Sequence, residues 1–199
     1  MQNIDLIIET ASVQAANQYA NDLVKKANVV FASVGAMSDQ VFYNNLLDDA
    51  AKHGNTVIIP SGAIGGLDAI DAVKDSITFI EIITTKSPES LSGAKGFSDY
   101  ENYNFTSPQI IFKGSATNAI KLFPKNLNVA VTLSLFGLGP DKTNVTVIAD
   151  PDVKMNCHKI NLKGQFGEMS FDFKLEKSIK NPRTSALAGL SIMKILKDY

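Results

Sequence analysis

Residues 56–66 read Thr56-Val57-Ile58-Ile59-Pro60-Ser61-Gly62-Ala63-Ile64-Gly65-Gly66. A short apolar run passes directly into a glycine-bearing turn, and a helical pattern over Asp68–Lys74 follows. Strand, tight loop and helix is the order this dictates. Glycines in such a loop let a ligand approach the backbone, and the start of a helix favours an anion. The segment is not G-x-G-x-x-G, so a plain strand-to-helix connection reads it equally well, and a complete dinucleotide fingerprint occurs nowhere in the chain.

Working outward, this strand is the third of its kind. Ile4–Ile8 and Asn28–Val34 are also mostly apolar, and helical patterns separate the runs. The first helix spans Ser12–Lys26, with Ser12 as cap and Ala15, Ala16, Tyr19, Leu23 and Ala27 at helical spacing; the second spans Ser38–His53 and stops at Gly54. Apolar strands alternating with helices predict a parallel sheet covered on both faces, half of a doubly wound α/β fold.

Beyond Asp68 the pattern changes. Ile77–Thr84 predicts a strand, and residues 86–108, rich in Ser, Gly, Pro, Asn and Tyr, a surface loop. A helix capped by Asn126 or Asn128 and running to Phe136 carries apolar residues all round its axis, so it is buried. Lys154–Lys163 and the alternating Met169, Phe171, Phe173 and Leu175 form an antiparallel hairpin about Gly164–Gly167. A last helix, with Asn181 as cap and Pro182 at its first position, has Leu187, Leu190, Met193 and Leu196 as its expected core stripe.

Composition narrows the function. The 199 residues are 45% hydrophobic and 20% charged, with 19 basic against 20 acidic side chains. No basic run marks a nucleic-acid footprint, no apolar run is long enough to cross a bilayer, and the first residues do not read as a signal peptide. A single cysteine, Cys157, fits a reducing cytoplasm.

Two histidines can be weighed against each other. His53 lies in the last turn of a helix before Gly54, where the helix dipole favours it, and reads as structural. His158 shares a strand face with Asn156, Ile160 and Leu162, at the passage from polar to apolar. An imidazole there can work as a general acid–base or simply sit satisfied at a sheet edge. Cys157 points to the opposite face, which excludes a Cys-His pair. The run Phe123-Pro124-Lys125-Asn126-Leu127-Asn128 brings a cation and two amides to the start of the buried helix, able to cap it or to meet a carboxamide or carboxylate.

These segments also occur together. In order, Ile-Glu-Thr-Ala-Ser (8–12), Ala-Ser-Val-Gly-Ala (32–36), Pro-Ser-Gly-Ala-Ile-Gly-Gly-Leu-Asp (60–68), Phe-Lys-Gly-Ser-Ala (112–116), Leu-Phe-Pro-Lys-Asn-Leu-Asn-Val-Ala (122–130), Ala-Asp-Pro (149–151), Asn-Cys-His (156–158) and Asn-Pro-Arg-Thr-Ser (181–185) resemble the signature of L-aspartate dehydrogenases. The resemblance implies a partial Rossmann domain at 1–62, an α+β catalytic and dimerisation domain with a largely antiparallel or mixed sheet at 63–181, and a closing helix at 182–199 that packs back on the first domain. It implies oxidation of L-aspartate to iminoaspartate, released as such or hydrolysed to oxaloacetate and ammonia, feeding NAD biosynthesis. NAD or NADP is the implied cofactor, His158 the catalytic residue, and Ala63 and Asn128 the cofactor contacts. Lys125, Arg183 and Thr184 are the candidates for the substrate carboxylates, chosen by residue type and position. A cytoplasmic homodimer with no nucleic-acid or membrane partner completes the expectation.

The chain departs from that signature mildly at Cys157 and Arg183, and more at its start. By comparison it lacks the first strands and the phosphate loop, on the order of sixty residues or two βαβ steps. The chain as written is therefore expected not to turn over aspartate. Rival readings are a non-catalytic scaffold of the same fold and a related two-domain reductase of the dihydrodipicolinate reductase or homoserine dehydrogenase type.

Overall fold

The computed structural model describes residues 4–179 and 184–199. Its first part is a three-stranded parallel sheet in the order β1-β2-β3, built from Leu6–Glu9, Asn28–Phe31 and Val57–Ile58. Helices α1 (Val13–Val24) and α2 (Gln40–Lys52) make the crossovers. Ser12 caps α1 as expected, its hydroxyl accepting from the Ala15 N–H. Asp39 caps α2 by accepting from Val41 and Phe42, so the helix begins at Gln40 rather than Ser38. β2 stops at Phe31, and Val34–Ser38 winds into a 3₁₀ turn instead of continuing the strand.

The second part is a five-stranded mixed sheet in the order β5-β6-β4-β7-β8. Its strands are β4 (Ile77–Lys86), β5 (Gln109–Ser115), β6 (Asn144–Ala149), β7 (Asn156–Gly164) and β8 (Gly167–Leu175). Only β4 and β6 run parallel; β7 and β8 form the predicted antiparallel hairpin. Short helices α3 (Leu67–Ala72), α4 (Pro88–Leu91) and α5 (Ala116–Leu122) join these strands, with α6 (Asn128–Phe136) buried among them. α6 packs on the 34–38 turn as well as on α5 and α3, so it fastens the two sheets together.

Three expectations need correction. Residues 86–108 are not a bare surface loop: they hold α4 and a 3₁₀ turn at Lys95–Tyr100, with Leu91 and Phe97 buried. Phe97, Tyr100, Tyr103 and Phe105 form a ring cluster that lets this stretch pack without long helices or strands. Neither Asn126 nor Asn128 caps α6; the cap position is Leu127, and both asparagines bond elsewhere. The closing helix α7 (Ala186–Asp198) turns a different stripe inward. Leu190, Met193 and Leu196 are exposed, whereas Leu187, Ser191, Ile192 and Ile195 are half-buried. The expected cap Asn181 and the expected Pro182 lie outside the described residues. α7 reaches back to the first sheet, where the Tyr199 hydroxyl donates to the Asp5 carbonyl and accepts from Asn28. Among the described residues no helix is long and apolar enough to cross a membrane.

The loop after β3 shows why its glycines differ. Gly66 has φ +72°, and a Cβ there would lie 2.6 Å from Cε1 of Phe171, so both backbone and space demand glycine. Gly66→Ala is expected to destabilise the fold by about 2–4 kcal/mol through left-handed strain and overpacking. Gly189, inside α7 with open space about it, should accept alanine with no loss or a gain of up to about 1 kcal/mol. Urea unfolding of the two variants checks the contrast.

Candidate active site

The inward face of the mixed sheet changes character along its length. On β4 the buried side chains run Ile80, Ile82, Thr84, Lys86, and on β7 they run Leu162, Ile160, His158, Asn156. The antiparallel register pairs Ile82 with Ile160 and Thr84 with His158. Apolar residues therefore face apolar ones in the core, and the polar ones meet at the end where β4 leaves the sheet. That end opens on a cavity of about 370 Å³, which also reaches the C-terminal ends of β1 and β2 and the loop after β3. Ligands of parallel α/β sheets bind at that edge.

His158, Ala63, Asn128, Lys125 and Thr184 all line this cavity. Arg183 lies outside the described residues. His53 stands apart, its Nδ1 2.8 Å from the Asp49 carbonyl oxygen at the end of α2.

His158 is 3% exposed, and its Nδ1 lies 3.1 Å from Thr84 Oγ1. Thr84 thus engages one ring nitrogen and leaves Nε2 for the cavity. Burial, reinforced by the Lys86 ammonium, lowers the pKa of His158 to about 3. The ring is neutral at physiological pH, a base rather than an acid.

Asn128 begins α6, and its Oδ1 accepts from the Gly35 N–H at 3.1 Å. A Cβ on Gly35 would lie 2.9 Å from that oxygen, so the Ala-Ser-Val-Gly-Ala segment needs its glycine for this approach. With Oδ1 held by Gly35, Asn128 has its Nδ2 donors left for a ligand. Asn126 donates instead to the Ser90 carbonyl, tying α6 to α4. Lys125 is exposed at the rim.

Glu9 orders the wall on the side of the first sheet. Its carboxylate accepts from the N–H groups of Ala11, Ser12 and Ser33 and from the Ser33 hydroxyl. That clamp sets the loops that present Thr10, Ala32 and Ser33 to the cavity. The opposite wall comes from α7 through Ala188, Gly189 and Ile192, and Ser191 Oγ accepts from the Gly62 N–H at 3.2 Å.

The residue that sequence reasoning missed is Lys86. It is 3% exposed and lines the cavity. Burial, then the nearby Lys177 charge, lowers its pKa to about 8. Extending the alternation Ile80, Ile82, Thr84 by one more step would have found it.

Comparison with known proteins gives a consistent picture. Residues 68–199 match the family described as aspartate dehydrogenase, C-terminal, and residues 1–60 match the NAD-binding domain of homoserine dehydrogenase. An L-aspartate dehydrogenase of Nitrosopumilus maritimus is 43% identical over 201 residues, covering 100% of this chain and 74% of its own length. One from Methanocaldococcus jannaschii is 37% identical over 199 residues, covering 99% and 74%. The crystal structure of aspartate dehydrogenase from Thermotoga maritima superposes with a TM-score of 0.82 at 31% identity, covering 98% of this chain and 75% of that one. The chain thus spans about three quarters of the length of these relatives.

The buried imidazole sets a pH dependence. Unfolded, His158 protonates near pH 6.5; folded, it stays neutral down to about pH 3. Between those values the unfolded state binds the extra proton, so stability falls as pH falls, by about 1.4 kcal/mol per pH unit at the limit. His158→Gln should flatten that acid limb in denaturant titrations run between pH 6.5 and 4; an unchanged slope would refute the assignment.

Proposed function

The chain belongs to the L-aspartate dehydrogenase family, and we propose that it oxidises L-aspartate to iminoaspartate with NAD or NADP, with His158 as the base. The observation that carries this reading is a neutral, buried imidazole opening on a cavity that Lys86 and Lys125 line and that has no carboxylate among its described lining residues. A dianionic substrate meets cations there and no described carboxylate to repel it. Its carboxylates also raise the His158 pKa toward the working range, because an opposite charge nearby favours the imidazolium.

The residues divide the work. NAD or NADP, when bound, supplies the hydride acceptor for Cα. The donor set fits its nicotinamide end: Asn128 Nδ2 and the backbone around Ala63 would hold the carboxamide where the parallel strands end. As Cα loses hydride and the C–N bond becomes an imine, the amine must shed a proton, which His158 Nε2 accepts. Thr84 keeps the ring oriented throughout by engaging Nδ1. Once that proton has passed on to the imine nitrogen, the same ring nitrogen is free again to take a proton from the water that adds to the imine carbon, on the route to oxaloacetate and ammonia. Lys125 and Thr184 line the cavity, which supports them as donors for the substrate carboxylates, and Arg183 is a further candidate from the sequence alone.

The proposal includes domains at 1–62 and 63–181 with the closing segment 182–199, a role in NAD biosynthesis, a cytoplasmic setting and a homodimer. What supports the dimer is the outer face of the mixed sheet. Phe79, Ile83 and Ile148 are only half-buried there, and Ile110 is 52% exposed, which leaves apolar surface for a second copy.

The test is aspartate-dependent formation of NADH or NADPH by the natural full-length protein. His158→Ala is expected to lower kcat by about 10²–10⁴-fold while cofactor affinity changes little. Near-normal turnover in that variant would remove His158 from the mechanism.

A further inference from the structure

We propose that Lys86 recognises a carboxylate of the substrate, with the Ser185 hydroxyl as its second donor, and thereby selects a dicarboxylic amino acid over a monocarboxylic one. The assignment rests on the aspartate dehydrogenase reading of the cavity and adds a residue that no sequence segment pointed to.

Four observations converge on it. Lys86 and Ser185 line the same cavity as His158 and are 3% and 2% exposed. Ser185 Oγ is buried with no hydrogen-bond partner, although an unmatched buried hydroxyl is costly. An acceptor arriving in the cavity would satisfy it. Lys177 stands close enough to Lys86 to disfavour its charge, and its Nζ donates to Ser87 Oγ next along the chain. The site therefore gathers positive charge in a place shielded from water, where an anion gains most. Finally, no Asp or Glu is among the described residues lining the cavity, so an incoming carboxylate meets no like charge there.

Local structure delivers both donors. Lys86 follows Thr84 by two residues on β4 and so shares the face of His158. Ser185 arrives through a single antiparallel bridge to Lys177, supported by the Ser178 N–H donating to the Thr184 carbonyl at 2.9 Å. Lys125, by contrast, is exposed at the rim, where water screens its charge. One buried and one peripheral cation match the two carboxylates of the substrate, and the buried one discriminates more strongly.

The experiment uses succinate and butyrate, four-carbon acids that differ by one carboxylate and cannot be oxidised at an amine. Calorimetric titration of the natural full-length protein should give succinate an advantage of about 10–100-fold, the worth of a charge-assisted hydrogen bond. Lys86→Met should erase that advantage and leave butyrate affinity and NAD affinity within a few-fold of normal. Ser185→Ala should reduce it partially. Should Lys86→Met fail to fold, the wild type decides. Its preference for succinate should decline as pH rises past about 8, where Lys86 loses its charge, with His158 already neutral. A succinate advantage that survives Lys86→Met, or that stays constant to pH 10, overturns the assignment, as does wild type binding the two acids equally. Failure of aspartate oxidation together with Lys86-dependent succinate binding would sink the proposed reaction and leave this carboxylate site standing.

Discussion

The pairing of Thr84 with His158 across β4 and β7 is the contact on which the site depends. Strand alternation commits every second residue of both strands to the inward face, so one register fixes where core ends and cavity begins. Ile80 and Ile82 against Ile160 and Leu162 anchor it, since a slip of one residue would turn out both apolar side chains of the strand that slipped. With those held, the polar residues beyond them have no choice of position. Thr84 meets the ring, and Lys86 faces the cavity.

Burial then does chemical work on these groups. Shielding from water strips the proton from the imidazole, and the lysine beside it acts in the same direction. A histidine in that state is neutral, and it becomes an effective proton acceptor when an anion beside it raises its pKa. A cavity lined by cations, with no carboxylate among its described residues, favours the entry of an anion. Proton acceptance and anion recognition thus arise from one set of side chains.

Much of this was legible in the sequence, for identifiable reasons. Apolar strands alternating with helices gave the parallel sheet, Gly164 and Gly167 gave the hairpin, and α6 announced its burial by being apolar all round. Other parts carried no clear period. β5 contains a register irregularity between Ile110 and Phe112 that breaks its alternation, and α5 is only seven residues long. β6, buried on both faces over most of its length, has no alternation to read. In α7 two apolar stripes compete, Leu187-Ile192-Ile195 and Leu190-Met193-Leu196, and periodicity cannot choose between them. Lys86 escaped because the strand was ended at Thr84, two residues short, which assigned its side chain to a loop with no face. Five of the candidate site residues nevertheless meet in one cavity, although they come from distant stretches of chain.

The wall supplied by α7 has a consequence for the order of synthesis. Ala188, Gly189 and Ile192 close the cavity, and the Ser191 hydroxyl grips the loop at Gly62. Both sheets, and every other described residue that lines the cavity, precede this helix in the chain. A nascent polypeptide can therefore pair its strands and bury most of its core while still attached to the ribosome, at about 5–20 residues per second. Its binding site stays open on one side until α7 has emerged. The cavity is therefore walled on every described side only once the chain has been translated through α7.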